Sequence, residues 1–215
     1  EHGSFCGICF VSGAGNFAQQ ARVPVQMRTP EDIPDAVFAA AGVQRNFSRT
    51  PFSSKGPVEW KTRHYQGGRV QKPEVCAFNM GLPQLWLNGT TRPGGLNGNS
   101  FAGPMFCGSI ALMLSADPDL LPWDLQQIIT STATDVAAEG VDDETGHGLI
   151  NCYRAVREVL RRKAIREGKD PKRFAGRQQG DTLDIESIKL RLKSSRVEVG
   201  RLQPGGQAAK LGVKP

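Results

Sequence analysis

Residues 101–116, FAGPMFCGSIALMLSA, constrain this chain more than any other stretch. Apart from Ser109 and Ser115, every side chain in the run is apolar or absent. The run is also shorter than the roughly 20 apolar residues that cross a bilayer. A helix that is apolar nearly all round is buried, so the fold must supply layers on more than one side of it. Gly103 and Gly108 weaken a helix intrinsically and therefore point to close packing. Ser100 opens the run, with Pro104 four positions on. The serine is either a nucleophile beside the unpaired N–H groups of the helix or only the hydroxyl that caps it.

The flanking segments suggest what surrounds that helix. SFCGICFVSGAGN (4–16) reads as a buried strand emptying into a tight loop, and AVFAAAGV (36–43) and KPEVCAF (72–78) as two more. FSSKGP (52–57) is turn chemistry, and residues 79–99, rich in Gly, Asn and Pro, read as surface loop. Two helices follow. One starts near Pro122 with an apolar stripe of Leu121, Leu125, Ile128 and Ile129. The other carries Cys152, Ala155, Val156, Val159 and Leu160 on one face, with its arginines toward water. Strands alternating with helices imply an α/β fold built on a doubly wound parallel sheet, carried here in part.

Charge and cysteines narrow the function classes. The net charge of +6 is localised in residues 153–181, which hold ten Lys/Arg against four Asp/Glu. With only Tyr153 and Phe174 as aromatics, that run reads as a solvated helix face leading into a linker, not as a nucleic-acid site. Five cysteines are not a disulfide framework. Cys6 and Cys9 have CxxC spacing, but no second Cys/His pair completes a zinc site, so the thiols are expected to be packed. EGVDDETG (139–146) lacks the oxygen-ligand spacing of a calcium loop and reads as solvated. Sequons at Asn46 and Asn88 bear on the chain only if it is secreted.

The chemistry gathers around Ser100. A carbonyl attacked by that hydroxyl would place its new charge among the first N–H groups of the helix, where the macrodipole is positive. Asn16, at the end of a buried strand after SGAG, could offer a second donor to an oxyanion. N-capping and turn chemistry account for the same residues equally well.

GNSFAGPMFCG resembles the nucleophile motif of the subtilisin-like serine proteases, Gly-Thr-Ser-Met-Ala-x-Pro-His-Val-Ala-Gly, matching it at Gly98, Ser100, Ala102, Pro104 and Gly108. FVSGAGN resembles the strand and loop that end in the family's oxyanion-hole asparagine, which puts that role on Asn16. FSSKGP and KPEVCAFN resemble Phe-Ser-Ser-x-Gly-Pro and Lys-Pro-Asp-Ile-x-Ala-Pro-Gly of the same family. The resemblance covers residues 3–163. It implies the C-terminal half of a subtilisin-like peptidase domain, with Ser100 and Asn16 catalytic and polypeptides as substrates. It implies no cofactor; calcium occurs among relatives, and the sequence marks no site for it. LNGTT (87–91) resembles the start of the nucleophile motif, but no Ala-x-Pro follows Thr90 or Thr91.

Three departures stand out: Asn99 for the family's Thr, Met105 for its His, and Phe78-Asn79 for its Pro-Gly. The base is also missing. The family's Asp and His lie well before the oxyanion asparagine, whereas His2 is 14 residues before Asn16 and reads as the end of a helix capped by Gly3. His64 falls in a polar loop and His147 at a helix start. Neither Glu1 nor the closing KLGVKP reads as a natural terminus, so the chain is taken as part of a longer protein that holds the His and Asp upstream. Alone it is expected to be inactive.

The organisation expected is a peptidase part over 1–167, a basic linker over 168–181, and an incomplete PDZ-like domain over 182–215. VEVGRLQPGGQAAKLGVKP resembles the opening of a PDZ domain, which implies a peptide or C-terminus as ligand. A degenerate, non-catalytic fold that binds peptides through this tail is the alternative function.

Overall fold

The computed structural model describes residues 2–20, 24–61, 67–174, 188–193 and 196–202. The chain divides into two compact units, Glu1–Leu82 with Leu96–Ala175, and Pro83–Gly95 with Gly176–Pro215.

The first unit opens with a short helix, α1 (His2–Phe5). It ends in a Schellman arrangement: Ile8 N–H donates to Gly3 O, Gly7 N–H donates to Ser4 O, and Gly7 sits at φ 85°. The capping glycine is therefore Gly7, not Gly3. The strand expected from residue 4 is correspondingly shorter, β1 (Phe10–Gly13). β2 (Val37–Val43) and β5 (Val75–Phe78) form where expected, and β1-β2-β5 make a parallel sheet in that order. Two short strands between them, β3 (Val58–Trp60) and β4 (Gly68–Val70), pair antiparallel.

β2 is the central strand, and Ala39, Ala40 and Ala41 are fully buried along it. Phe38 and Ala40, with Val75 and Ala77 of β5, face the core that carries the helices. Ala39, Ala41 and Cys76 face the other way, against Ala14, Met27 and Val58. The helices are α2 (Asn99–Ala116), α3 (Pro122–Thr132) and α4 (Cys152–Arg166). Phe106 of α2 stacks on Phe38 at 6.5 Å between ring centres. α3 buries Leu125, Ile128 and Ile129, while Leu121 is its half-exposed N-cap. α4 buries Ala155 and Val159 and is capped by Asn151, whose side chain accepts from Arg154 N–H. Along it, Arg166 donates to both oxygens of the buried Asp117, at 2.8 Å each, and Arg161 and Arg162 pair with Glu158. A 3-10 turn, Pro171–Phe174, follows.

α2 departs from its expected complete burial. Met105, Cys107 and Leu112 are exposed, because the described elements cover one flank of the helix and the sheet ends at β1. A Cβ on Gly103 would come within 2.8 Å of Gly13 N, so this glycine does allow close packing on β1. Gly108, on the open flank, has no atom within 4 Å of such a Cβ. The thiols follow the same division. Cys76 is buried and Cys9 and Cys152 half-buried, whereas Cys6, just after α1, and Cys107 are exposed, against the expectation of uniform packing.

The acidic loop expected to be solvated is instead a clamp. Asp142 Oδ1 accepts from Glu144 N–H and Thr145 N–H. Glu144 pairs with Lys55 at 2.9 Å and Arg49 at 3.4 Å, and Asp143 pairs with Arg69 at 2.9 Å. The hydrogen bond from Lys55 holds the Glu144 carboxyl below its ordinary value.

In the second unit, residues expected to be loop form a hairpin of β6 (Leu82–Leu85) and β7 (Thr91–Leu96). Its strands are largely exposed, so burial imposes no hydrophobic alternation on them. In the tail, β8 (Ile188–Lys193) and β9 (Arg196–Leu202) pair antiparallel with a register shift at Lys189/Leu190. The rest of the PDZ-like segment, 182–187, 194–195 and 203–215, and residues 175–181 of the linker lie outside the described residues.

Candidate active site

The parallel strands run with their C-terminal ends toward the start of α2, the end of an open α/β sheet where sites form. Gly13 closes β1 against the backbone there: a Cβ on it would lie 2.3 Å from Asn99 O. Ser100 is the second residue of α2, and its side chain is exposed. It is not the cap. The N-cap is Gly98, at φ 144° and ψ 150°, a conformation L side chains rarely adopt. The side chain that satisfies the helix start comes from 83 residues away: Asn99 N–H donates to Asn16 Oδ1 at 2.9 Å.

That bond fixes which way the Asn16 amide faces. With Oδ1 turned to Asn99, Nδ2 lies on the side of Gly98 and Ser100. A Cβ built on Gly98 would be 3.7 Å from Asn16 Nδ2 and 3.9 Å from Ser100 N. Asn16 Nδ2 and Ser100 N thus lie on the same side of Gly98, at the positive end of an 18-residue helix. Ser100 also borders an open groove of about 520 Å³, lined by Val11 and Gly13 of β1 and by Gly103, Pro104 and Cys107 of α2.

Beneath the donors lies a buried polar layer. Asn99 Nδ2 donates to Gly15 O at 2.5 Å and to Ser53 Oγ at 2.9 Å, and Asn99 Oδ1 accepts from Asn79 Nδ2 at 2.6 Å. Asn79 Nδ2 also donates to Thr50 Oγ1, and Asn79 O accepts from Gly98 N–H. Ser53 Oγ accepts from Gly42 N–H. Sequence reasoning singled out Asn99 and Asn79 as departures from a motif, not as partners, and missed Thr50, Ser53 and Gly42. The one available signal was the paired change itself, two asparagines where the resembled family has Thr and Gly.

His147 is apart from this cluster. His147 donates its backbone N–H to Glu74 O, just before β5, so it stands at the opposite end of the sheet. It lines a different cavity, with Lys72, Glu74 and Trp123, and burial lowers its pKa. His2 begins α1, within the helix and not after its end. His64 lies outside the described residues. No group of three or more His, Cys, Asp or Glu is arranged to hold a metal ion among the described residues. No described helix is long and apolar enough to cross a membrane.

The exposed serine at the start of α2 stands at the C-terminal ends of the parallel strands, where open α/β sheets form their sites. The sequence profile of the subtilase family, Peptidase S8, matches residues 2–148, and the chain belongs to that family. A probable subtilase-type serine protease of Deinococcus radiodurans is 31% identical over 157 residues, 66% of this chain and 20% of that protein. Bacillopeptidase F of Bacillus subtilis is 29% identical over 140 residues, 63% of this chain and 9% of its own length. Fervidolysin of Fervidobacterium pennivorans is 33% identical over 63 residues, 29% of this chain and 9% of its own length. The chain therefore spans a fifth or less of these relatives, and the relationship supports serine-protease function at the level of the family.

Proposed function

We propose that the protein is a serine endopeptidase of the subtilisin-like kind, with Ser100 as nucleophile and Asn16 as an oxyanion donor. The observation that carries this reading is the bond from Asn99 N–H to Asn16 Oδ1, which turns Asn16 Nδ2 to the same side as Ser100 N–H. Ser100 Oγ attacks the scissile carbonyl of a polypeptide as its proton passes to a base. The carbonyl oxygen takes the charge and is held by Asn16 Nδ2–H and Ser100 N–H. The C–N bond breaks as the base returns the proton to the leaving amine, and water then releases the acyl group by the same steps. The base is a histidine oriented by an aspartate, both supplied from outside the described residues. The chain by itself is inactive in this reading, because the oxyanion donors and binding alone leave only a small residual rate enhancement.

The test is labelling of the complete protein by a fluorophosphonate. The expected result is one phosphonylated residue, Ser100, and no labelling of Ser100→Ala. Undiminished labelling of Ser100→Ala overturns the assignment.

The tail offers a second, compatible reading: a PDZ-like module that takes a peptide by strand addition. The antiparallel pairing of Ile188–Lys193 with Arg196–Leu202 supports it. Capture of C-terminal peptides by the complete protein, lost when residues 182–215 are removed, is the expected outcome. Equal capture without the tail refutes it.

A further inference from the structure

Asn99 and Asn79 are the residues in which this chain departs from the motifs it resembles, and they touch each other. We propose that they form a single positioning device, a buried amide couple that holds Asn16 and the start of α2 in register for oxyanion binding. This rests on the reading of Ser100 and Asn16 given above. Neither asparagine touches the reacting atoms; both act through Asn16 and the Gly98–Ser100 backbone.

The directions of the hydrogen bonds make the case. Gly15 O can only accept, so the amide nitrogen of Asn99 must face it. The second hydrogen of that nitrogen goes to Ser53 Oγ, and Oδ1 is left facing Asn79. Asn79 must then present its own nitrogen to Asn99, and its other hydrogen goes to Thr50 Oγ1, which donates onward to Gly42 O. One backbone carbonyl thus sets the orientation of both amides. The couple ties together every segment that carries the donors. It reaches the loop after β1 through Gly15, the helix start through Asn99, and Gly98 through Asn79 O.

Two further observations bear on what the arrangement costs. Asn79 Oδ1 is buried and has no hydrogen-bond partner among the described residues. A buried acceptor without a partner is unfavourable, and it remains here because the amide nitrogen is committed to Asn99 and Thr50. The couple also lies flat on β2: a Cβ on Gly42 would fall 1.6 Å from Asn79 Nδ2 and 2.4 Å from Asn99 Oδ1. The central strand therefore gives up a side chain at this position so that the couple fits.

The experiment uses a fluorophosphonate, because its phosphoryl oxygen occupies the oxyanion position during reaction. With the complete protein, the concentration dependence of inactivation separates binding (KI) from the bond-forming step (kinact), with the folded fraction followed by tryptophan fluorescence. Asn79→Ala and Asn99→Thr are each expected to lower kinact about 10- to 100-fold, the range set by a misplaced or missing oxyanion donor, with KI unchanged. Asn79→Ala/Asn99→Thr should lose no more than the worse single variant, since the two act as one unit. Where Asn79→Ala does not fold, Thr50→Val loosens the same amide from its far end and is expected to lower kinact by a smaller factor. Unchanged kinact in these variants, or losses that multiply, overturns the couple while leaving Ser100 as nucleophile. A wild-type protein that fails to label overturns the reading of Ser100 and the couple with it.

Discussion

Lys72 and Glu74 form an ion pair at 2.5 Å with side-chain exposures of 1% and 7%. Lys72 Nζ also donates to Val37 O, and Glu74 Oε2 accepts from Ala39 N–H at 2.7 Å, so the pair fastens the chain just before β5 to β2. Burial pushes the Glu74 carboxyl above its ordinary 4.5, against the pull of Lys72 and the Ala39 N–H. Lys72→Met removes the ammonium and leaves the carboxyl with backbone N–H groups only, those of Ala39 and of Glu74 itself. Breaking a buried pair from one side costs about 3–5 kcal/mol. Here the ionic part has a ceiling, because Glu74 can take up a proton instead. From 4.5 to pH 7 that escape costs about 3 kcal/mol, at about 1.4 kcal/mol per pH unit.

We therefore expect Lys72→Met to lose about 3 kcal/mol at pH 7. A carboxyl whose folded pKa is raised is neutral in both states below 4.5. It becomes destabilising only as the pH rises from there toward the folded pKa. The deficit should thus shrink steadily as the pH falls from 7 toward 4.5. Urea unfolding followed by tryptophan fluorescence reads this, with Trp123 lining the same cavity. Lys72→Met/Glu74→Gln should recover most of the loss. A deficit under about 1 kcal/mol at pH 7, or one that grows toward pH 5, refutes a dehydrated pair at this position.

Gly103 and Gly108 lie in the same helix and should respond to alanine with opposite signs. Gly108→Ala meets open space and should stabilise by about 0.5–1 kcal/mol through helix propensity, whereas Gly103→Ala meets the Gly13 backbone at 2.8 Å and should destabilise by about 1–3 kcal/mol and slow fluorophosphonate labelling. Urea unfolding of the two variants checks the pair. Thiol alkylation of the native protein should modify the exposed Cys107 quickly and spare Cys76, which is buried with its pKa pushed up to about 12, until the chain unfolds. Peptide mapping after a short pulse of iodoacetamide distinguishes these outcomes.

The parts of this fold legible in the sequence are those whose burial has a period. β2 and β5 are continuous apolar runs, and α3 and α4 carry stripes at helical spacing that face the core at Leu125, Ile128, Ile129, Ala155 and Val159. Where the signal failed, the physical cause is visible. Cys6 and Ile8 belong to an apolar run, but Gly7 at positive φ breaks it into a helix end and a strand start. Residues 82–96 form a hairpin that is largely exposed, so no alternation marks it. The apolar circumference of α2 implies burial all round, yet the described elements cover one side of it and leave Met105 and Leu112 exposed. Ser100 and Asn16 were legible only through local motifs. The amide layer beneath them was not, because residues 15, 42, 50, 53, 79 and 99 become neighbours only after the sheet has formed.

That layer explains why the central strand has the composition it has. On the helix face of β2 the side chains shrink toward the site, from Phe38 to Ala40 to Gly42. The phenylalanine anchors Phe106 where α2 is deep in the core. The glycine leaves room where the helix begins and the asparagines lie across the strand. The same taper appears on β1, which ends in Gly13 against the backbone of Asn99. Each glycine forgoes packing and costs conformational freedom, so two of them at adjoining strand ends are unfavourable as core and favourable only as space for a preorganised polar layer. The polar layer at the start of α2 is consequently built wholly from described residues. Its geometry should be in place before the groove beside Ser100 is filled from any other part of the protein.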